Sequence, residues 1–225
     1  MRKFIFIFAM GLAGSKATCQ ELPFLVPSSF SAEVGHSVSL ALSPTRSEVA
    51  FVPISATVCG YETRKNHEAD LSNFRWDGAG SALAAVTFGP QIQQDGPSLL
   101  GHFGLTGPAQ LTVFASATAA ISGKGDGAAL LNRLGLPSEL RLITSPIRAA
   151  GADVALRFYG FKEMVANNAP VLATHLATGV TTKLETDAAG IVNLVSVKAG
   201  VWRVAAAQLH ESKLFLATIT FEVTR

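Results

Sequence analysis

The sequence predicts an all-β protein: two β-sandwich domains joined by a short helical linker. Three observations lead there. Apolar residues alternate with polar or small ones at 38–42 and again at 215–223, the period-two pattern of a strand with one buried face. Short apolar runs recur at close intervals, separated by Gly, Pro, Asn and Asp, as in sandwiches. The chain is 48% hydrophobic and only 15% charged, apolar enough to bury a core and too apolar for disorder.

In the first half, strands are expected over 22–27, 31–34, 37–42, 51–61, 82–88 and 111–115. Gly35 suits a turn before the third of these. Polar, Gly-rich stretches at 77–80 and 94–97 read as loops. The segment 116–136 is rich in Ala and Gly and reads as the linker. Asp126 would cap a short helix over 128–134, and Gly135 would stop it. The glycine run at 123–127 lacks the GxxxxGK[ST] spacing of a phosphate loop, so it reads as a connector.

In the second half, strands are expected over 153–159, 171–176, 181–186, 191–197, 201–209 and 214–223. The segment 186–190 reads as a hairpin, with Gly190 at the positive-φ position. Trp202 is expected to plug the core. The resulting layout is 1–19 signal peptide, 20–115 N-terminal β domain, 116–136 linker and 137–225 C-terminal β-sandwich, of immunoglobulin-like or prealbumin-like kind.

The leader reading rests on Arg2 and Lys3, an apolar run over 4–12, and small residues from Ala13 to Ala17. Cleavage fits after Ala17 or after Cys19. A lipoprotein site at Cys19 matches poorly, since Lys16 and Thr18 stand where aliphatic and small residues belong. Loss of the leader removes three basic residues and turns the net charge from +2 to −1. No basic stripe remains, which argues against nucleic acid as a partner. No internal run reaches the roughly 20 apolar residues that a spanning helix needs. The mature chain is therefore expected to be exported and soluble. Cleavage after Ala17 leaves a Cys19–Cys59 disulfide open, and cleavage after Cys19 leaves Cys59 alone. An apolar-flanked Cys59 reads as a core residue.

The LPSELRLITSP segment at 136–146 resembles the opening of the second domain in the DUF4198 family. The order of later landmarks is similar too: AGAD at 150–153, NAPV at 168–171, TDAAG at 186–190 and AGVWRV at 199–204, with LVPSSF at 25–30 and VGHSV at 34–38 near the start. This resemblance implies an exported β protein, including periplasmic components of nickel and cobalt uptake, and the periplasm as its location. It implies a non-catalytic binding role, a divalent nickel or cobalt ligand, and a membrane transporter component as partner. Gln20 and Glu21 stand where metal-handling members carry an N-terminal histidine; glutamine is a poor ligand for these metals. That departure points to the alternative, a structural or protein-interaction module of the cell envelope.

No GxSxG, SxxK or Cys–His signal for nucleophilic catalysis is present, and no enzyme is expected. Five histidines are scattered without HxH or HExxH spacing. His36 falls in an expected turn, and His175 on the exposed face of a strand. The polar stretch 66–70 reads first as a solvated loop. As a functional reading, His67 and Glu68, with His102 brought in from elsewhere, are the candidate metal ligands.

Overall fold

The computed structural model describes residues 22–33, 36–43, 51–60, 66–69, 75–76, 80–123, 127–147 and 149–225. The leader, Cys19, Asp70 and the Asp126 cap lie outside them. The strands of the first half are β1 (Phe24–Pro27), β2 (Val38–Ser43), β3 (Pro53–Gly60), β4 (Asn66–Ala69), β5 (Arg75–Trp76), β6 (Ala82–Gln93) and β7 (Leu111–Ile121). A helix, α1 (Gly96–His102), sits between β6 and β7. The second half adds β8 (Glu139–Leu142), β9 (Val154–Tyr159), β10 (Pro170–His175), β11 (Val180–Glu185), β12 (Ile191–Leu194), β13 (Gly200–His210) and β14 (Lys213–Val223).

These strands form three sheets. The middle one has eight strands in the order β11-β10-β13-β14-β7-β6-β3-β4, and two three-stranded sheets, β1-β2-β5 and β12-β9-β8, complete the fold. Strand alternation shows how the sheets stack. In β6, Ala82, Ala84, Val86 and Phe88 join a core with Leu22, Phe24, Leu25 and Val38. Leu83 and Ala85, pointing the other way, join a second core with Leu140, Leu142, Val154, Leu156 and Phe158. In β13, Ala205 and Ala207 belong to the first core, Val204 and Ala206 to the second. The middle sheet is thus buried on both faces, each under a small sheet. Two sandwiches are present, and they share their middle layer.

The halves meet where β7 and β14 run parallel, from Thr112 opposite Lys213 to Ala119 opposite Thr220. All other strand pairs described are antiparallel. Hydroxyls pin the covering layers to this seam. Ser138, just before β8, donates to the carbonyls of Leu216 (2.7 Å) and Phe114 (3.3 Å), while Ser116 donates to Ser138. Thr218 donates to the Pro23 carbonyl beside β1. Pairing offsets the cost of burying these hydroxyls, a cost that Thr118 and Thr220 on the same two strands bear without a partner among the described residues.

Several expectations change at this seam. The linker over 116–136 begins inside β7, because an Ala- and Thr-rich strand fits a layer that must admit neighbours on both faces. A left-handed Gly127 (φ 73°) and a short 3-10 turn, Ala128–Leu131, replace the longer helix. The segment 186–190 does turn through Gly190 (φ 70°). It joins β11 to β12, however, and so crosses from the middle sheet to an outer one rather than closing a hairpin. Asp187 holds this corner by accepting from the N–H groups of Ala189 and Ile191, each at 2.8 Å. Residues 94–97, expected as loop, start α1: Asp95 caps it by accepting from the Ser98 N–H (3.2 Å), with Pro97 in the first turn.

Gly60 lies under the Trp76 indole, which donates to the Gly80 carbonyl at 3.1 Å. A Cβ at position 60 would overlap that ring. Gly60→Ala is expected to cost about 1–3 kcal/mol by overpacking and to shift tryptophan emission. Equal stability and unchanged emission in the variant would disprove this packing.

Candidate functional site

The candidate metal ligands are placed as follows. Residues 66–69 form β4, an edge strand of the middle sheet, instead of a loop; pairing with β3 sets His67 opposite Val58 and Glu68 opposite Thr57. Antiparallel pairing satisfies backbone groups that a loop would leave to water. His102 ends α1. The next residues, Phe103 and Gly104, line a cleft of about 550 Å³ with residues 170–172 of β10 and 183–185 of β11. β11 and β4 are opposite edges of the same eight-stranded sheet, so the fold does not bring His102 toward the strand that carries His67 and Glu68. Among the described residues, no three His, Cys, Asp or Glu side chains converge on a point that could hold a metal ion.

The other histidines have structural settings. His36 is exposed, 3.9 Å from the Glu33 carboxylate. His210 stacks on Phe161, with ring centroids 4.0 Å apart. His175 is buried rather than exposed: its imidazole contacts the Ala199 carbonyl and the Thr178 hydroxyl, each at 3.1 Å, and tilts against Trp202 at 5.0 Å. Trp202 is half-buried at the margin of the core and donates to the Lys198 carbonyl (2.9 Å). Cys59 is buried and free, and accepts from the Asn132 amide at 3.3 Å.

The concave surface with the most distinctive chemistry lies where β3 and β6 lose register. Ile54 is bulged out on β3, and Gly89 and Pro90 on β6, at one level of the sheet. Bulges aim side chains away from the regular pleat and interrupt pairing. β6 pairs with β3 only as far as Phe88, apart from one bond from the Gly89 N–H to the Val52 carbonyl (3.2 Å). Its pairing with β7 continues to Gln93. Along 91–93 the β3 side of β6 therefore has no strand beside it among the described residues.

A groove of about 750 Å³ opens there, lined by Val52, Ile54 and residues 89–95. Its rim is aliphatic and wet: Val52 is 60% exposed, Ile54 59% and Ile92 64%. Gln91 lines the same groove, and both polar atoms of its buried amide lack a partner among the described residues. Single exposed aliphatics are ordinary; three gathered around one groove beside an unmet amide set this surface apart. Nothing in the sequence announced it beyond Pro53 and Pro90, whose missing N–H groups interrupt a ladder.

Fold and groove together define the class: an all-β, sandwich-built protein with an aliphatic groove beside a stretch of β6 that is unpaired on one side among the described residues. No family model and no curated protein matches the chain. Among solved structures, it is similar to the two-domain fibronectin type III segment of chicken tenascin. The identity is 11% and the TM-score 0.27, over 89% of this chain and 98% of that one. It is also similar to the D0–D1 segment of intimin (12%, TM-score 0.23, 88% and 97%). A third similar structure is a Ca²⁺-stabilized adhesin of an Antarctic bacterium (15%, TM-score 0.28, 87% and 45%).

Proposed function

We propose that this chain is a non-catalytic, exported protein-interaction module of the cell envelope. Its groove takes an extended segment of another polypeptide. The observation that carries this reading is the exposed rim of Val52, Ile54 and Ile92 beside the open stretch of β6. An added strand would gain backbone hydrogen bonds from residues 91–93 and bury the aliphatic rim, the mode of β-strand addition. Its polar backbone would also give the Gln91 amide the partners it lacks. The export pattern of residues 1–19 and the DUF4198 resemblance support the envelope setting. Nickel or cobalt carriage, the other role that the resemblance implies, draws no support from the described residues, where no ligand set converges.

A photo-crosslinking residue at position 92, in the full chain in its native host, is expected to give a discrete protein adduct. The same residue at Val195, an exposed valine of comparable character (72%), should give none. Ile92→Asp should weaken capture of the adducted partner. An adduct pattern identical at 92 and 195 would reject the groove. Tight Ni²⁺ or Co²⁺ binding by the purified mature chain, lost in His67→Ala, would favour the metal role instead.

A further inference from the structure

The outward face of the β12-β9-β8 sheet holds a second polar cluster. In β8 and β9 the inward residues Leu140, Leu142, Val154, Leu156 and Phe158 are core. The intervening positions therefore face away from the middle sheet. On that outer face Arg141 sits directly opposite Arg157, and Glu139 opposite Tyr159. Two like charges facing each other across a strand pair are destabilising unless something compensates them.

The surroundings compensate one arginine and leave two. Arg133, from the loop before β8, lies over the Tyr159 ring at 4.3 Å. It forms an ion pair with Glu163 at 3.0 Å and approaches Glu139 at 3.9 Å. Both carboxylates near the cluster are thus engaged on the Arg133 side, and Glu139 additionally holds three backbone N–H groups. Arg141 spends its Nε–H on the Leu131 carbonyl (2.7 Å). Arg157 keeps a buried Nε with no partner among the described residues. Among the described residues, neither of these two makes an ion pair with a carboxylate. On the same outward face Tyr159 lies two positions along β9 from Arg157. Burial works to raise the pKa of that phenol, but the hydrogen bonds and charges of Arg157 and Arg141 outweigh it and leave it below the ordinary tyrosine value.

We propose that Arg141 and Arg157, facing each other across β8 and β9 beside Tyr159, form a binding site for an oxyanion, a carboxylate or a phosphate group. Guanidinium forks match the paired oxygens of either group, and two of them can grip it from both sides. The unpaired Nε of Arg157 supplies a donor already desolvated for the purpose. The site lies in a different sheet from the aliphatic groove, and the inference does not rest on the role given to that groove.

The test uses the mature full chain carrying Tyr61→Phe, so that Tyr159 is the one tyrosine left. Inorganic phosphate and citrate, each matched to sodium chloride at equal ionic strength, are followed by thermal unfolding and by absorbance titration of the phenol. Binding to the native state is expected to raise Tm. It should also move the Tyr159 ionisation toward the ordinary value, as the guanidiniums turn to the anion. Arg157→Met should weaken the anion response at least about tenfold. Arg157→Lys, which keeps the charge and loses the fork, should fall between. Lys183→Gln, on β11, should respond like the parent. A response to phosphate alone assigns a phosphate site, and one to citrate alone a carboxylate site. Two results would overturn the proposal: chloride raising Tm as much as either anion, or a full anion response in folded Arg157→Met or Arg157→Lys protein.

Discussion

A chain ending at residue 136 is expected to show no cooperative unfolding transition, although it carries every strand of the first half. β7 would lose β14, its parallel partner over residues 112–119. The first core would lose Leu172, Ala205, Ala207, Leu214 and Leu216, all buried and all supplied by the second half. Each large aliphatic side chain among them contributes about 1.5–3 kcal/mol by burial. A typical domain has only about 5–15 kcal/mol to lose. The exposed edge of β7 would be long and apolar, which favours aggregation. Circular dichroism and urea denaturation of the fragment beside the mature chain make the check. A sharp transition in the fragment, with tertiary signals intact, would show that the first half folds alone.

Glu139→Ala is expected to cost the intact chain about 3 kcal/mol or more, since it leaves buried N–H groups unpaired. The carboxylate is 2% exposed and accepts from Leu134 (2.8 Å), Gly135 (2.9 Å) and Leu136 (3.3 Å), folding the loop before β8 around itself. Glu139→Gln keeps an acceptor oxygen and should lose less. The pH dependence separates the charge from the shape. Burial raises the Glu139 pKa above its ordinary 4.5, against the opposing pull of the three N–H groups and Arg133. The folded state therefore holds this proton more tightly than the unfolded chain does. The stability from this protonation is complete below the unfolded value and is lost as pH rises through the folded one. Measured against Glu139→Gln, which does not titrate, the parent should lose relative stability as pH climbs above about 4.5. Denaturation midpoints for both proteins across that range decide it: a constant difference would contradict a raised pKa.

Strand content was legible in the sequence wherever one physical signal acted alone. The alternation at 38–42 and the apolar runs of β9, β10, β13 and β14 reappear within a residue or two, because a half-buried strand must alternate or end at a turn. Gly190 turned where its φ freedom allowed. The Asp95-Gly96-Pro97 start of α1 was readable as a cap followed by proline, but seven residues are too few for a helical period to stand out. The aliphatic groove was not readable, since Val52, Ile54 and Ile92 look like core residues until the bulges turn them outward. The two arginines of β8 and β9 are 16 positions apart in the chain, and only strand register sets them face to face.

The sequence by itself determined an all-β chain, the turn at Gly190 and the apolar runs that become core strands. Each of these follows from local sterics or from the period of a strand. Tertiary structure alone decided that the two sandwiches share one middle sheet. Nothing local distinguishes the Ala-Thr continuation of β7 over 116–121 from a linker until layers pack on both its faces and small side chains become the ones that fit.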